Sequence, residues 1–155
     1  MAEASVAVSG VAGGSIGRGL LVYLGVAAED GPADADWLAG KVRDLRIFED
    51  SAGKMNLSLA EAAAATGTAH SVLAVSQFTL MGDARKGRRP SWAAAAEPGK
   101  ARALYLRFVA GLRAGGVICE TGEFGADMAV RSVNSGPVTV LLDSRVAVAP
   151  VGFAQ

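Results

Sequence analysis

Two short stretches collect side chains that could act on a substrate. Ser76-Gln77-Phe78-Thr79-Leu80 sets two hydroxyls and a carboxamide at the end of the apolar run Val72-Leu73-Ala74-Val75. Val133-Asn134-Ser135-Gly136-Pro137-Val138-Thr139 places an amide, hydroxyls and a Gly-Pro pair between two apolar runs near the C-terminus. Neither stretch holds a strong base. Proline fixes its own φ, lacks an N–H and restricts the residue before it, while glycine accepts angles closed to other residues. Gly136-Pro137 can therefore aim main-chain carbonyls at a ligand. An X–Pro bond is also the common site of a cis peptide, although trans is its ordinary state. A third stretch, Asp83 to Trp92, packs Arg85, Lys86, Arg88 and Arg89 around Gly87 beside an aromatic ring. On composition such a loop is a solvated turn or a local contact for phosphates.

The rest of the inventory excludes several chemistries. His70 is the only histidine and Cys119 the only cysteine, so no close-spaced zinc ligand set exists and no internal disulfide can form. A lone cysteine suits a reducing cytoplasm. His70 enters the strand whose far end carries Ser76. At ~3.3 Å per residue the two stand roughly 20 Å apart, too far for a Ser-His pair. Gly14, Gly17 and Gly19 have the wrong spacing for a dinucleotide loop and precede a strand rather than a helix, which favours a hairpin. No phosphate-cradling G-x-x-x-x-G-K-[ST] loop is present. What remains is catalysis by backbone N–H donors, small hydroxyls and an amide on a substrate already prone to react, without metal or cofactor.

The elements that position these stretches follow from pattern. The 155 residues suit one domain with a real core. Fifteen Lys and Arg balance fifteen Asp and Glu, so no global field draws nucleic acid or an anionic membrane. No uncharged run reaches membrane-spanning length, and the first residues lack a signal-peptide pattern. Strands are expected at residues 4 to 8, before a Ser9-Gly10 turn, and at 20 to 26. Pro32 opens a helix in which Trp37, Leu38, Lys41, Val42 and Leu45 recur at three- and four-residue steps on the side expected to face the sheet, leaving Asp34, Asp36 and Arg43 for solvent. Arg46 to Phe48 and Lys54 to Leu57 flank a turn, and Ser58 to Glu61 is a capping box for an alanine-rich helix ending near Gly67. Residues 71 to 75 form a central strand. Pro98 starts a second main helix with Leu104, Tyr105, Phe108, Val109 and Leu112 inward, stopped by Gly115-Gly116. Three closing strands, 117 to 121, 127 to 133 and 137 to 142, complete the pattern.

Taken together, Ser76-Gln77-Phe78-Thr79-Leu80 and Asn134-Ser135-Gly136-Pro137-Val138-Thr139 resemble the paired signatures of D-aminoacyl-tRNA deacylases, S-Q-x-x-L and N-x-G-P-x-T. Further blocks stand in family order: Arg46-Ile47-Phe48, Gly53-Lys54-Met55-Asn56-Leu57, Lys86-Gly87 with Arg89-Pro90-Ser91, and Thr121-Gly122 with Phe124-Gly125-Ala126-Asp127-Met128. The resemblance runs from about Ala4 to Ser144, one domain over 1–144 with a tail, 145–155, expected to be loosely held.

The resemblance implies an α/β fold with a mixed, strongly curved, barrel-like sheet, two main helices on it, and a homodimer with the active site between subunits. It implies that Gly136-Pro137 is cis and reaches into the partner's pocket, holding the substrate α-amino group with main-chain carbonyls. A D side chain would then point outward and an L side chain collide. Glycine has no side chain to reject, so mischarged glycyl-tRNA(Ala) is expected as a second substrate. Ser76 would order the site, and Gln77 with the N–H near Phe78 or Thr79 would bind the oxyanion. Thr79 would be nucleophile or wall, the wall being favoured because no base adjoins it. Leu80, Asn134 and Thr139 would support, and Met128 would line the adenosine or amino-acid pocket. Lys86, Arg88 and Arg89 would meet acceptor-end phosphates; DNA and membrane are not expected partners. The rival implication is an inactive tRNA-binding or scaffolding relative. The resemblance also implies a further strand before the segment matching Ala4-Ser5-Val6, so the family's first strand is expected to be missing here.

Overall fold

The computed structural model describes residues 1–145. Two three-stranded sheets lie face to face, with helices on the outer face of one of them. The first sheet is antiparallel. Its strands are β1 (Glu3–Val8), β2 (Val11–Ile16) and β8 (Met128–Val133), in the order β2-β1-β8. β1 and β2 are joined by Ser9 and Gly10, both at positive φ (50° and 81°), with Val8 opposite Val11. That is the two-residue turn whose twist matches paired strands.

The second sheet is parallel, with β3 (Gly19–Leu24), β6 (Ser71–Ser76) and β7 (Cys119–Thr121) in the order β3-β6-β7. Its crossovers contain α1 (Pro32–Asp44) and α3 (Pro98–Ala114). Parallel strands covered on both faces read as continuous apolar runs, and β6 does so. Val72 and Ala74 belong to the core under the helices, while Leu73 and Val75 belong to the core between the sheets. Tyr105 of α3 reaches the strand directly: its hydroxyl donates to the Ala74 carbonyl at 2.9 Å, and burial pushes that phenol up to about 12.

Between β3 and β6 the chain also makes the small hairpin β4 (Phe48–Glu49) with β5 (Met55–Leu57), and α2 (Leu59–Thr66). The capping box at α2 forms as the sequence indicates. The Ser58 N–H donates to Glu61 at 2.8 Å, the Glu61 N–H donates to Ser58 Oγ at 3.4 Å, and Gly67 closes the helix at φ 65°. Among the described residues no helix is long and apolar enough to cross a membrane.

Four expectations need correction. The sheet is not barrel-like: among the described residues three separate sheets occur and none closes on itself. The strand expected at 137 to 142 forms no ladder. Pro137 has no N–H to offer, and Val138, Val140 and Leu141 stand exposed, Leu141 at 87%. The α1 core face is only partly the expected one: Val42 is buried and Leu38 packs against the core as expected, but Ala35 and Ala39 are buried too, whereas Trp37 stands outside with the Lys41 ammonium over its ring. The small residues win because α1 and α3 touch closely, a Cβ at Gly111 falling 3.0 Å from that of Ala39. Lastly, Gly14, Gly17 and Gly19 do not mark a hairpin, because β2 and β3 belong to different sheets. Gly14 lies against the Thr121 backbone and Gly19 against that of Ser71, so glycine serves close approach of backbones there. Of the tail expected over 145–155, residues 146 onward lie outside the described residues.

Candidate active site

β6 delivers Ser76 and Gln77 to the edge of the molecule, where the ladder stops. The Gln77 N–H donates to the Leu24 carbonyl at 2.8 Å, the last bond tying this segment to β3. The chain then tightens into a 3₁₀ turn, Phe78–Met81, with the Leu80 N–H bonded to the Gln77 carbonyl at 3.2 Å. The first amides of such a turn have no partner inside it. Those of Phe78 and Thr79 find no acceptor among the described residues, and both side chains are exposed. The Gln77 carboxamide donates to the Thr79 hydroxyl, which fixes its orientation and leaves a second Nε2 hydrogen free. Two main-chain N–H groups and one amide N–H therefore come from consecutive residues. This set can stabilise charge developing on a carbonyl oxygen.

The turn sits on a position without a side chain. A Cβ at Gly25 would approach Leu80 Cβ and Met81 Cε at 3.0 Å and the Gln77 carbonyl at 3.2 Å. Sequence reading placed Gly25 inside an apolar strand and missed this role, which only a long-range contact reveals.

Beyond the turn, Asp83 and Ser91 exchange backbone bonds of 2.8 and 2.9 Å and pinch the basic loop at its base. Arg85 is held by Asp83 through bonds of 2.9 and 2.6 Å, and those bonds from Arg85 hold the Asp83 carboxyl down at about 2. That pair cancels. Lys86, Arg88 and Arg89 carry the loop's remaining charge with no carboxylate partner among the described residues. Trp92 closes the loop with its ring 6.0 Å from that of Phe78.

Met128 stands in the same half of the molecule. It packs over Gly122, whose N–H bonds to the Ala74 carbonyl at 3.2 Å, and it leans on the core between the sheets.

The second stretch lies elsewhere. Val133 ends β8 opposite Glu3, and its carbonyl accepts from the Ala2 N–H at 2.9 Å. The chain therefore leaves the sheet beside the start of β1. Asn134, Ser135 and Gly136 line a cleft of about 420 Å³ together with Arg18, Phe48 and His70. His70 immediately precedes β6, and Gln77 immediately follows it. At ~3.3 Å per residue those ends are roughly 20 Å apart. The structure thus brings Ser76 to Leu80, the three free cations and Met128 toward one end, and Asn134 and Gly136 to the other. Thr139 lies on the exposed segment beyond. His70 itself is a core residue, buried with its ring edge-on to Phe48 and Nδ1 2.9 Å from the Thr68 carbonyl. Burial likewise pushes the Cys119 thiol up to about 11, which leaves it inert.

The expected cis bond is not found. No cis peptide occurs among the described residues, so Gly136–Pro137 is trans, with Gly136 at φ 123°. Trans is favoured by ~0.5–1 kcal/mol at X–Pro bonds, and this exposed loop has no packing within the chain to reverse it.

A family model described as D-Tyr-tRNA(Tyr) deacylase matches residues 1–143. The D-aminoacyl-tRNA deacylase of Anaeromyxobacter dehalogenans is 57% identical over 145 residues, covering 94% of this chain and 93% of its own. That of Koribacter versatilis is 55% identical over 145 residues, with the same coverage of each chain. Among solved structures, one titled c-Myc DNA Unwinding Element Binding Protein superposes with a TM-score of 0.83 at 35% identity, covering 94% of this chain and 95% of that one. A probable eukaryotic D-amino acid tRNA deacylase shares the fold, with a TM-score of 0.69 at 20% identity over 84% of this chain and 88% of the other.

Proposed function

The chain belongs to the D-aminoacyl-tRNA deacylase family, hydrolases of the ester between an amino acid and tRNA; on that premise we propose that it cleaves D-aminoacyl-tRNA and glycyl-tRNA while sparing L-aminoacyl-tRNA. The reading further assigns selection to the Gly136-Pro137 loop of a second protomer, seated in the first protomer's Gln77 cleft. What carries it is the separation of the two signature stretches by the whole length of β6. One chain cannot close both on a single ester, whereas two chains related by a two-fold axis can.

The chemistry needs little force. The ester is activated by the neighbouring ribose hydroxyl, and that same 2′-OH orients the attacking water. Gln77 Nε2 and the N–H groups of Phe78 and Thr79 receive the oxyanion. The Thr79 hydroxyl accepts from Gln77, so it acts as a positioning group rather than as nucleophile, and no base stands by to activate it. Handedness is then judged by main-chain carbonyls around Gly136 of the trans Gly136–Pro137 loop. Lys86, Arg88 and Arg89 hold phosphates near the acceptor end.

Deacylation of one tRNA charged with matched D- and L-amino acids tests the reading. Hydrolysis of the D form and of glycyl-tRNA with the L form spared supports it; equal hydrolysis of both refutes the selectivity. Hydrolysis of neither, with tRNA still bound, would instead favour an inactive tRNA-binding or scaffolding relative. In the same assay Thr79→Val, which removes the acceptor but keeps the shape, is expected to lower kcat about tenfold, the worth of one oriented hydrogen bond. Complete loss of turnover with binding intact would make Thr79 the nucleophile.

A further inference from the structure

Phe78 and Trp92 form an exposed aromatic pair on the rim of the candidate site. Phe78 is 60% exposed and Trp92 40%, with their rings edge-on at 64°. In an edge-on pair at least one ring keeps an outward face. The pair is held in place: Trp92 Nε1 lies against Gly82, where a Cβ would stand 3.1 Å away, and the Asp83–Ser91 bonds fix the base of the loop leading into it. Immediately before Trp92 come the cations Lys86, Arg88 and Arg89, with Arg85 already neutralised by Asp83. An apolar patch awaiting a protein partner would not gain from three unpaired cations beside it. A nucleic-acid strand satisfies both, since its phosphates take the charge and its unpaired bases stack on aromatic faces.

We propose that Phe78 and Trp92 are a stacking platform for the unpaired nucleotides just before the esterified ribose of the RNA substrate. This rests on the deacylase reading and extends it. Main-chain donors at Phe78 and Thr79 take the reacting carbonyl, the Phe78 and Trp92 rings take the bases leading to it, and the basic loop takes their phosphates. The platform requires a single-stranded 3′ end but no base sequence, because stacking tolerates any base.

The test uses the full chain carrying Trp37→Phe, so that Trp92 is the sole indole. An RNA hairpin ending in four unpaired 3′ nucleotides should quench its fluorescence, whereas a blunt hairpin of equal length should not. Trp92→Ala should raise the deacylation KM about tenfold while kcat stays within about twofold, and Trp92→Phe should restore most of the affinity. Equal quenching by both RNAs, or an unchanged KM in Trp92→Ala, overturns the platform. So does a Trp92→Ala protein whose only change is its oligomeric state, which would assign the rings to a protein contact. If the unpaired hairpin quenches but the wild-type chain hydrolyses no aminoacyl-tRNA, the platform stands and the deacylase reading falls.

Discussion

Two inactive variants, Gln77→Ala and Gly136→Ala, should recover about a quarter of wild-type activity when their subunits are scrambled. The arithmetic follows from the proposed two-fold dimer: random pairing would make about half the dimers mixed, and in each of these one site would have both intact contributions. Gln77→Ala removes an oxyanion donor, and such losses cost roughly 100- to 1,000-fold in kcat. Gly136→Ala acts differently. Within its own chain the added Cβ meets nothing closer than Val138 atoms at 3.9 Å, so it does not clash at home. At φ 123° it strains an exposed loop by ~1–3 kcal/mol and places a methyl where the substrate of another protomer is expected. The proteins should therefore fold alone and complement together. Failure of a purified mixed dimer to regain turnover would sink the shared site, whatever the activity of the parent.

Gly19→Ala should be the most damaging single methyl in the chain. At φ 152° a Cβ would stand 1.8 Å from the Ser71 carbonyl oxygen and 2.7 Å from its N–H nitrogen, both backbone atoms that no rotamer can move. Gly19 is also where the chain crosses from one sheet to the other. The Met1 ammonium donates to its carbonyl at 2.9 Å, and the Ser71 N–H bonds to the Arg18 carbonyl at 3.0 Å. Relief would require prising β3 from β6 at the first rung. The loss should be on the order of 4 kcal/mol or more, a large share of ordinary domain stability. Gly17→Ala is the control, since nothing lies within 4 Å of its would-be Cβ. Urea denaturation of both compares them; equal midpoints would mean that the β3–β6 contact at this crossing is wrong.

The helices, the Ser9-Gly10 turn, the Ser58–Glu61 cap and the buried strand at 71 to 75 were all readable, because each depends on neighbours within a few residues. Leu104, Tyr105, Phe108, Val109 and Leu112 were assigned inward by period and are inward. The paired stretches pointed to the family. Features set by distant parts of the chain were not readable. Gly14 and Gly19 look like turn residues until the opposite sheet is placed against them. Trp37 looks like core until Ala39 is seen to allow α3 closer. Residues 137 to 142 alternate well enough for a strand, yet a ladder needs an edge presented to them, and pattern cannot show one. The isomer at Pro137 was carried over from the resemblance rather than from these residues, and there the expectation failed.

The position of β6 carries a consequence for how the molecule comes apart. Its side chains alternate between two apolar interiors, Val72 and Ala74 on one side and Leu73 and Val75 on the other, all essentially sealed from water. Neither interior can open without stripping the strand that also walls the other, so the layers are joined cooperatively and should melt as one unit. The amides of Val72 to Val75 should accordingly be the last to exchange with deuterium, while the Gln77 turn, one residue beyond the strand, exchanges early. The rigid ruler of the fold thus ends where the exposed edge that carries the candidate site begins.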